Sequence, residues 1–409
     1  MSKKLLCVLL CVITVAGIFA GCGSKEGDSC GNEAFSIDNV EIGYDGLPFF
    51  ENVFSSITKS EKGYYYYDES MFSAGSNMKP VKYLMFFDPN TRSAVPVCSR
   101  ADCTHGLTVG CDAVFFLENQ DNYIGNVDHL WYYDGDLYTV AGNFEDNIYS
   151  YYLYRISADG SKRTKLTKLF SGGVEAFNLF FHRGCLYISF INEEGKNAVY
   201  KVKVEKDARM ELIYELDNAD GFISVFNIYD TGITFMAVYF EDENYENSVE
   251  ELKYYNPLNN EVTTLMEGVA FDSHTIIGDW VYYTSDKKLG RYDIKNKKTE
   301  DFYTCEYPCY VSYDGKYIYA EASAVLLEDY SQHNIYVLDL EGKLVDTINA
   351  PSYQDCYFGD DKFLFQMFDL DETLKNKAKK PCMKAFDKSQ IGTGKHEWIE
   401  LPLEWAYKN

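Results

Sequence analysis

The chain has 409 residues, with 63 acidic against 38 basic side chains and a formal charge of −25. A surface so negative repels nucleic acid and anionic headgroups and excludes both as ready partners. Tyrosine is abundant at 36 residues, prolines number only nine, and apolar patterns of helical period are almost missing, which argues against a helical fold.

Lys3 and Lys4 open the chain, and Leu5 to Ala20 follow as an apolar run broken only by Thr14. A charged start, an apolar stretch and a small-residue exit make a secretory signal. The run is shorter than the roughly 20 residues that a membrane span needs. The exit, Phe19-Ala20-Gly21-Cys22, resembles a bacterial lipobox, although that pattern usually carries Leu where Phe19 stands. The alternative is an ordinary signal with Cys22 incidental. The resemblance implies a signal peptide over 1–21 and lipidation of Cys22. It places the protein on the outer face of the cytoplasmic membrane, held by its lipid alone. A single acyl chain anchors weakly, so more than one is expected. Residues 22–34 are small and polar and read as a flexible tether. Loss of 1–21 removes Lys3, Lys4 and no acid, so the charge becomes −27.

Residues 35–409 read as one all-β domain. A short apolar strand, a polar turn and a second strand recur seven times, with turns beginning at Asp88, Ser157, Glu205, Asn256, Asp293, Asp339 and Asp387. The intervals are 69, 48, 51, 37, 46 and 48 residues. Another aromatic strand precedes each copy, as in "KGYYYYD" at 62–68 or "GDWVYYTS" at 278–285. Units of roughly 45 residues with about four strands each predict a β-propeller of seven four-stranded blades, with six or eight as neighbouring solutions. A sandwich would not repeat a four-strand unit, and a solenoid would show a shorter period. The segment 35–57 is expected to supply a strand that closes the ring against the last blade. Tyr64–Tyr67, Trp131 and Trp280 have ring faces that sugars could stack on, but their period-two placement favours core packing.

After loss of the signal ten cysteines remain, one of them Cys22. Nine is odd, so at most four disulfides form. "CSRADCTHGLTVGC" at 98–111 gathers Cys98, Cys103, His105 and Cys111 in the 69-residue interval, about 20 residues longer than the others. They fall at the end of the first blade or in its exit loop, and propeller rims carry binding surfaces. Three readings stand: a disulfide staple, a structural zinc site using all four, and free thiols. The spacing favours the staple, because zinc sites prefer two-residue gaps and a Cys-x-His pair is tight. A Cys–His nucleophile lacks an orienting partner. "CEYPC" offers Cys305 and Cys309 as a second disulfide candidate, bent by Pro308, while Cys185 reads as a small core residue.

The repeat G-x-[LI]-Y-[YF] followed by L-Y-[RK]-[IV]-x-x-D-G resembles bacterial propellers of the lipoprotein-receptor and Tol-system kind. The Cys-x4-Cys-x-His-x5-Cys run resembles loops of Gram-positive-type surface lipoproteins of unknown function. The resemblance covers nearly all of the mature chain and implies extracytoplasmic binding, with no catalytic residues to carry over. No nucleophile elbow, phosphate loop or His-Glu-x-x-His motif occurs. The acidic run at 240–251 lacks calcium-loop spacing and reads as a solvated loop. The expectation is therefore a lipid-anchored module that binds a protein, an envelope component or a carbohydrate, with no cofactor beyond an optional zinc. The alternative is a propeller hydrolase or lyase acting on carbohydrate.

Overall fold

The computed structural model describes residues 56–402 except 75–76, 106–109, 116–128, 146–147, 172–177, 193, 217–220, 230, 241–247, 324–325, 328, 351–355, 358–359, 361 and 367–381. The strands form seven antiparallel sheets, and within each the four strands are adjacent in chain order. Blade one spans 57–115, and the others span 131–171, 178–215, 222–267, 273–304, 309–349 and 356–402. First strands of neighbouring blades approach one another, so they surround the axis of the ring. This is the seven-bladed propeller that the repeats predict. Each turn residue of the repeat ends the third strand of its blade or follows it within two residues, opening the turn to the fourth. Asp88, Asn256, Asp293, Asp339 and Asp387 each accept the N–H two residues on, at 2.9–3.1 Å. That side-chain turn is why Asp and Asn recur there.

Blade one comprises β1 (Ile57–Lys59), β2 (Tyr64–Ala74), β3 (Asn77–Asp88), β4 (Ser93–Pro96) and an added β5 (Val114–Phe115) that pairs with β3. The expected 20-residue insertion therefore holds the cysteine loop and a fifth strand. In blade two the hairpin after the first strand is a two-residue turn, Asp134-Gly135, with φ of 48° and 82°. Blade three repeats it at Arg183-Gly184, with φ of 47° and 69°. Both positions need left-handed backbone, which matches strand twist and explains the glycines.

Side chains of β2 alternate between two neighbours. Tyr64 and Tyr66 enter a cluster with Phe363, Phe365, Met383 and Leu401 of blade seven. Tyr65 and Tyr67 enter another with Leu130, Leu137 and Ile156 of blade two. All four tyrosines are buried, and Trp131 is buried against Phe181 of blade three. Trp280 is half-buried under the Arg291 guanidinium, 4.4 Å from the ring centroid. These aromatics serve the core, each fully buried ring contributing about 1.5–3 kcal/mol.

A first strand around the axis leaves one edge without a ladder partner, and its backbone groups still need hydrogen bonds. Polar side chains of the preceding blade supply them. Thr58 Oγ1 accepts Tyr132 N–H at 3.1 Å, and Ser273 Oγ accepts Val311 N–H at 2.8 Å. Asn178 donates to Ile223 O at 3.2 Å, and Asn227 donates to His274 O. Glu321 accepts Cys356 N–H at 2.7 Å while bonded to His333 Nε2 at 3.0 Å.

Among the described residues the ring closes by side-chain packing, not by an exchanged strand. Blade seven takes its four strands from 356–402, and Ile57–Lys59 pairs within blade one. The rest of the closing segment, 35–55, lies outside the described residues, as do Cys22, the tether, the signal and most of the acidic run. No helix of the described residues is long and apolar enough to cross a membrane.

Candidate metal centre

The loop after β4 is held at its entry and exit before any donor is considered. Val97 N–H extends the ladder to Leu84 O at 2.9 Å, and Leu84 N–H bonds Ala113 O at 2.8 Å. The two arms thus leave and rejoin β3 side by side. Asp112 ties them together. Its Oδ2 accepts from Ser99 N–H at 3.1 Å and from Ser99 Oγ at 2.7 Å, with Cys98 Sγ at 3.8 Å. Arg100 donates across the loop to Gly110 O. From blade two, Arg163 donates to Asp112 O and to Val114 O, and its guanidinium lies 3.8 Å from the Phe115 ring centroid.

Within this frame the four residues singled out by spacing converge. One ligand atom from each of Cys98, Cys103, His105 and Cys111 lies within 4.8 Å of the others. His105 adopts φ of +55°, a left-handed conformation that costs a side-chain-bearing residue roughly 1 kcal/mol. The bend overcomes the tightness expected of Cys-x-His. It sets His105 Nδ1 3.8 Å from Cys111 Sγ and aims His105 N–H at Cys103 Sγ, 3.4 Å away. The three cysteines are unbridged, and the loop gathers all four donors together. Cys111 is buried and the other three are half-buried. Burial pushes the Cys111 thiol up to about 12, with the Ala113 N–H opposing and the Cys103 and Cys98 sulfurs adding to the rise.

Three sulfurs and an imidazole nitrogen can hold a metal ion, and among the described residues this is the only group of three or more such donors. The set also touches the place where the ring closes. Cys111 belongs to the buried cluster that blade one shares with blade seven, and Cys98 and Cys103 pack on it.

Cys305 and Cys309 meet in a different setting. Both are buried in an apolar cluster with Tyr282, Leu289, Val311, Ile318, Ala320 and Leu338. Their backbones are fixed by Cys305 N–H to Lys287 O at 2.8 Å and Cys309 N–H to Asp286 O at 3.1 Å. A hydrogen bond with Cys305, then burial, holds the Cys309 thiol well above its usual range. Cys185 is half-buried and packs on the core between blades three and four. Asp112 and Arg163, which frame the cluster, carry no sequence signal of that role.

No protein-family model matches the chain, and no curated protein matches it in sequence. Among solved structures it is similar to a prolyl endopeptidase studied for inter-domain dynamics in catalysis and specificity, at 11% identity and a TM-score of 0.55. The match covers 86% of this chain and 50% of that one, so the chain spans about half of that enzyme's length. It is also similar to the β-propeller domain of the Trilobed protease from Pyrococcus furiosus, described as having an open velcro topology. There the identity is 12% and the TM-score 0.51, over 86% of this chain and 98% of that domain. At such identities the likeness shows the fold alone.

Proposed function

We propose that the chain is a lipid-anchored extracytoplasmic propeller that binds a protein, envelope or carbohydrate ligand through its rim loops or axial opening. Cys22 is the lipidated residue in this reading, and zinc is the ion of the Cys98–Cys111 cluster. The observation that supports it best is the ring of seven four-stranded blades, a rigid scaffold whose strand ends lie at two rims. The lipobox-like exit at Cys22 supports the address, and the charge of −25 disfavours nucleic acid and the bilayer surface as partners.

The test has two arms. Labelled palmitate fed to expressing cells should mark the wild-type chain, and Cys22→Ala should lose the label and shift from membrane to medium. An unlabelled wild type overturns the anchor. Purified 22–409 should bind isolated cell-wall sacculi or an immobilised glycan panel saturably, or the expressed full chain should be crosslinked in intact cells to one membrane-protein neighbour at a rim position. Failure of all three overturns the binding role, and release of sugar from the panel replaces it with the hydrolase or lyase reading.

A further inference from the structure

We infer that Cys98, Cys103, His105 and Cys111 form a closed four-ligand zinc site that latches the first blade of the propeller to the last. The inference rests on the zinc reading above and adds the coordination and the mechanical role.

The donor set selects the ion. Three thiolates and an imidazole suit zinc, whereas calcium or magnesium would require oxygens. A zinc tetrahedron with bonds of about 2.3 Å to sulfur has edges of roughly 3.8 Å. The Cys111 Sγ to His105 Nδ1 separation is already 3.8 Å, and the whole set lies within 4.8 Å. Closure therefore requires shifts of only about 1 Å. All four vertices are protein atoms, which leaves no position for a reacting water or substrate and makes the site a staple. One outer-shell donor is in place, since His105 N–H points at Cys103 Sγ. Binding releases the thiol protons to solvent as each sulfur becomes a ligand.

The placement gives the role. Cys111 lies in the apolar cluster that includes Phe363, Phe365, Met383 and Leu401 of blade seven, and Cys98 and Cys103 pack on that cluster. On its other side the loop is gripped by Arg163 of blade two. An ion that binds only when its four ligands are seated on blade one stabilises the seated form by mass action, and with it the seam beneath.

The mature chain, purified without added metal, should carry about one zinc per molecule by elemental analysis. Iron, no metal, or a disulfide between two of the three cysteines overturns the ion. Cobalt exchange should give the visible absorption of a tetrahedral thiolate site, altered in Cys98→Ser, Cys103→Ser and His105→Ala. A spectrum untouched by His105→Ala overturns the four-ligand closure. Chelation of the wild-type chain then tests the latch without relying on any variant to fold. Amide exchange over 64–88 and 382–401 should rise at least about tenfold on zinc removal, and exchange over 233–266 should change less than about twofold. Zinc that is present but whose removal loosens all blades equally, or none, overturns the latch and leaves the ion assignment standing.

Discussion

The seam between blades seven and one and the seam between blades four and five solve the same problem with different chemistry. At the closing seam, aromatic rings interlock: Tyr64 lies 4.9 Å from Phe365, and Phe87 meets Phe363 edge-on at 5.4 Å. Buried charge is added to this packing. Asp360 pairs with Lys59 of blade one at 2.7 Å and accepts from Tyr64 OH. At the other seam the polar link is neutral. His274 Nε2 meets Thr234 Oγ1 at 2.8 Å, and Ile276 N–H bonds Tyr229 OH at 3.1 Å. Blades four and five are joined by a short connection, whereas blades one and seven must find each other across nearly the whole chain. The loop-closure entropy is larger there, and the packing, the ion pair and the cysteine loop all gather at that one seam.

Four measurements break or sharpen the contrast, the largest effect first. Phe365→Ala removes a fully buried ring from the closing cluster and should cost about 3–5 kcal/mol in denaturant unfolding. A loss below about 1 kcal/mol means the ring is not held there. Asp360→Asn leaves the Lys59 ammonium beside a neutral group and should cost roughly 3 kcal/mol. Equal stability of variant and wild type at pH 7 makes the ion pair incidental.

Acid separates the two seams. Burial lowers His274 to about 3, so the folded chain keeps it neutral. Below about pH 6.5 the unfolded chain takes up a proton that the folded chain refuses, so stability falls by roughly 1.4 kcal/mol per pH unit until about pH 3. His274→Gln should flatten that part of the stability–pH curve, and an unchanged slope refutes the assignment. Burial alone would raise Asp360, but Lys59, Phe363 N–H and Tyr64 outweigh it and leave its carboxyl below the usual range. Its contribution is complete above about pH 4 and disappears as pH falls through the lowered value. The closing seam should therefore yield at lower pH than the seam of blades four and five. The smallest effect sets the floor. Gly135→Ala, in a left-handed turn open to solvent, should cost about 1 kcal/mol and leave both seams as they are.

The periodic features of this molecule were legible in its sequence. Asp293 and Asp339 announced turns because a side chain that bonds the N–H two residues on acts locally, whatever surrounds it. Blade count followed from the spacing of such turns, and the long first interval marked the cysteine loop. What depends on neighbours far along the chain was not legible. Spacing favours a disulfide at 98–111, and the left-handed bend of His105, which turns Nδ1 back toward Cys111 and brings all four donors together, has no one-dimensional trace. Cys305 and Cys309 are marked by spacing, but only the structure shows them buried among Tyr282, Leu289 and Val311. Thr58, Ser273 and Asn227 looked like ordinary strand residues, since the backbone groups they satisfy lie 38 to 74 positions away.

Those polar contacts at the axis have an evolutionary corollary. Each is addressed to one particular partner: a hydroxyl accepts an N–H in one place, and a carboxamide donates to a carbonyl in another. Tandem units of this sort are not interchangeable parts. Deleting or duplicating one by unequal recombination would set donors against donors at the new junction, so drift in unit number is penalised even where the ring radius would tolerate it.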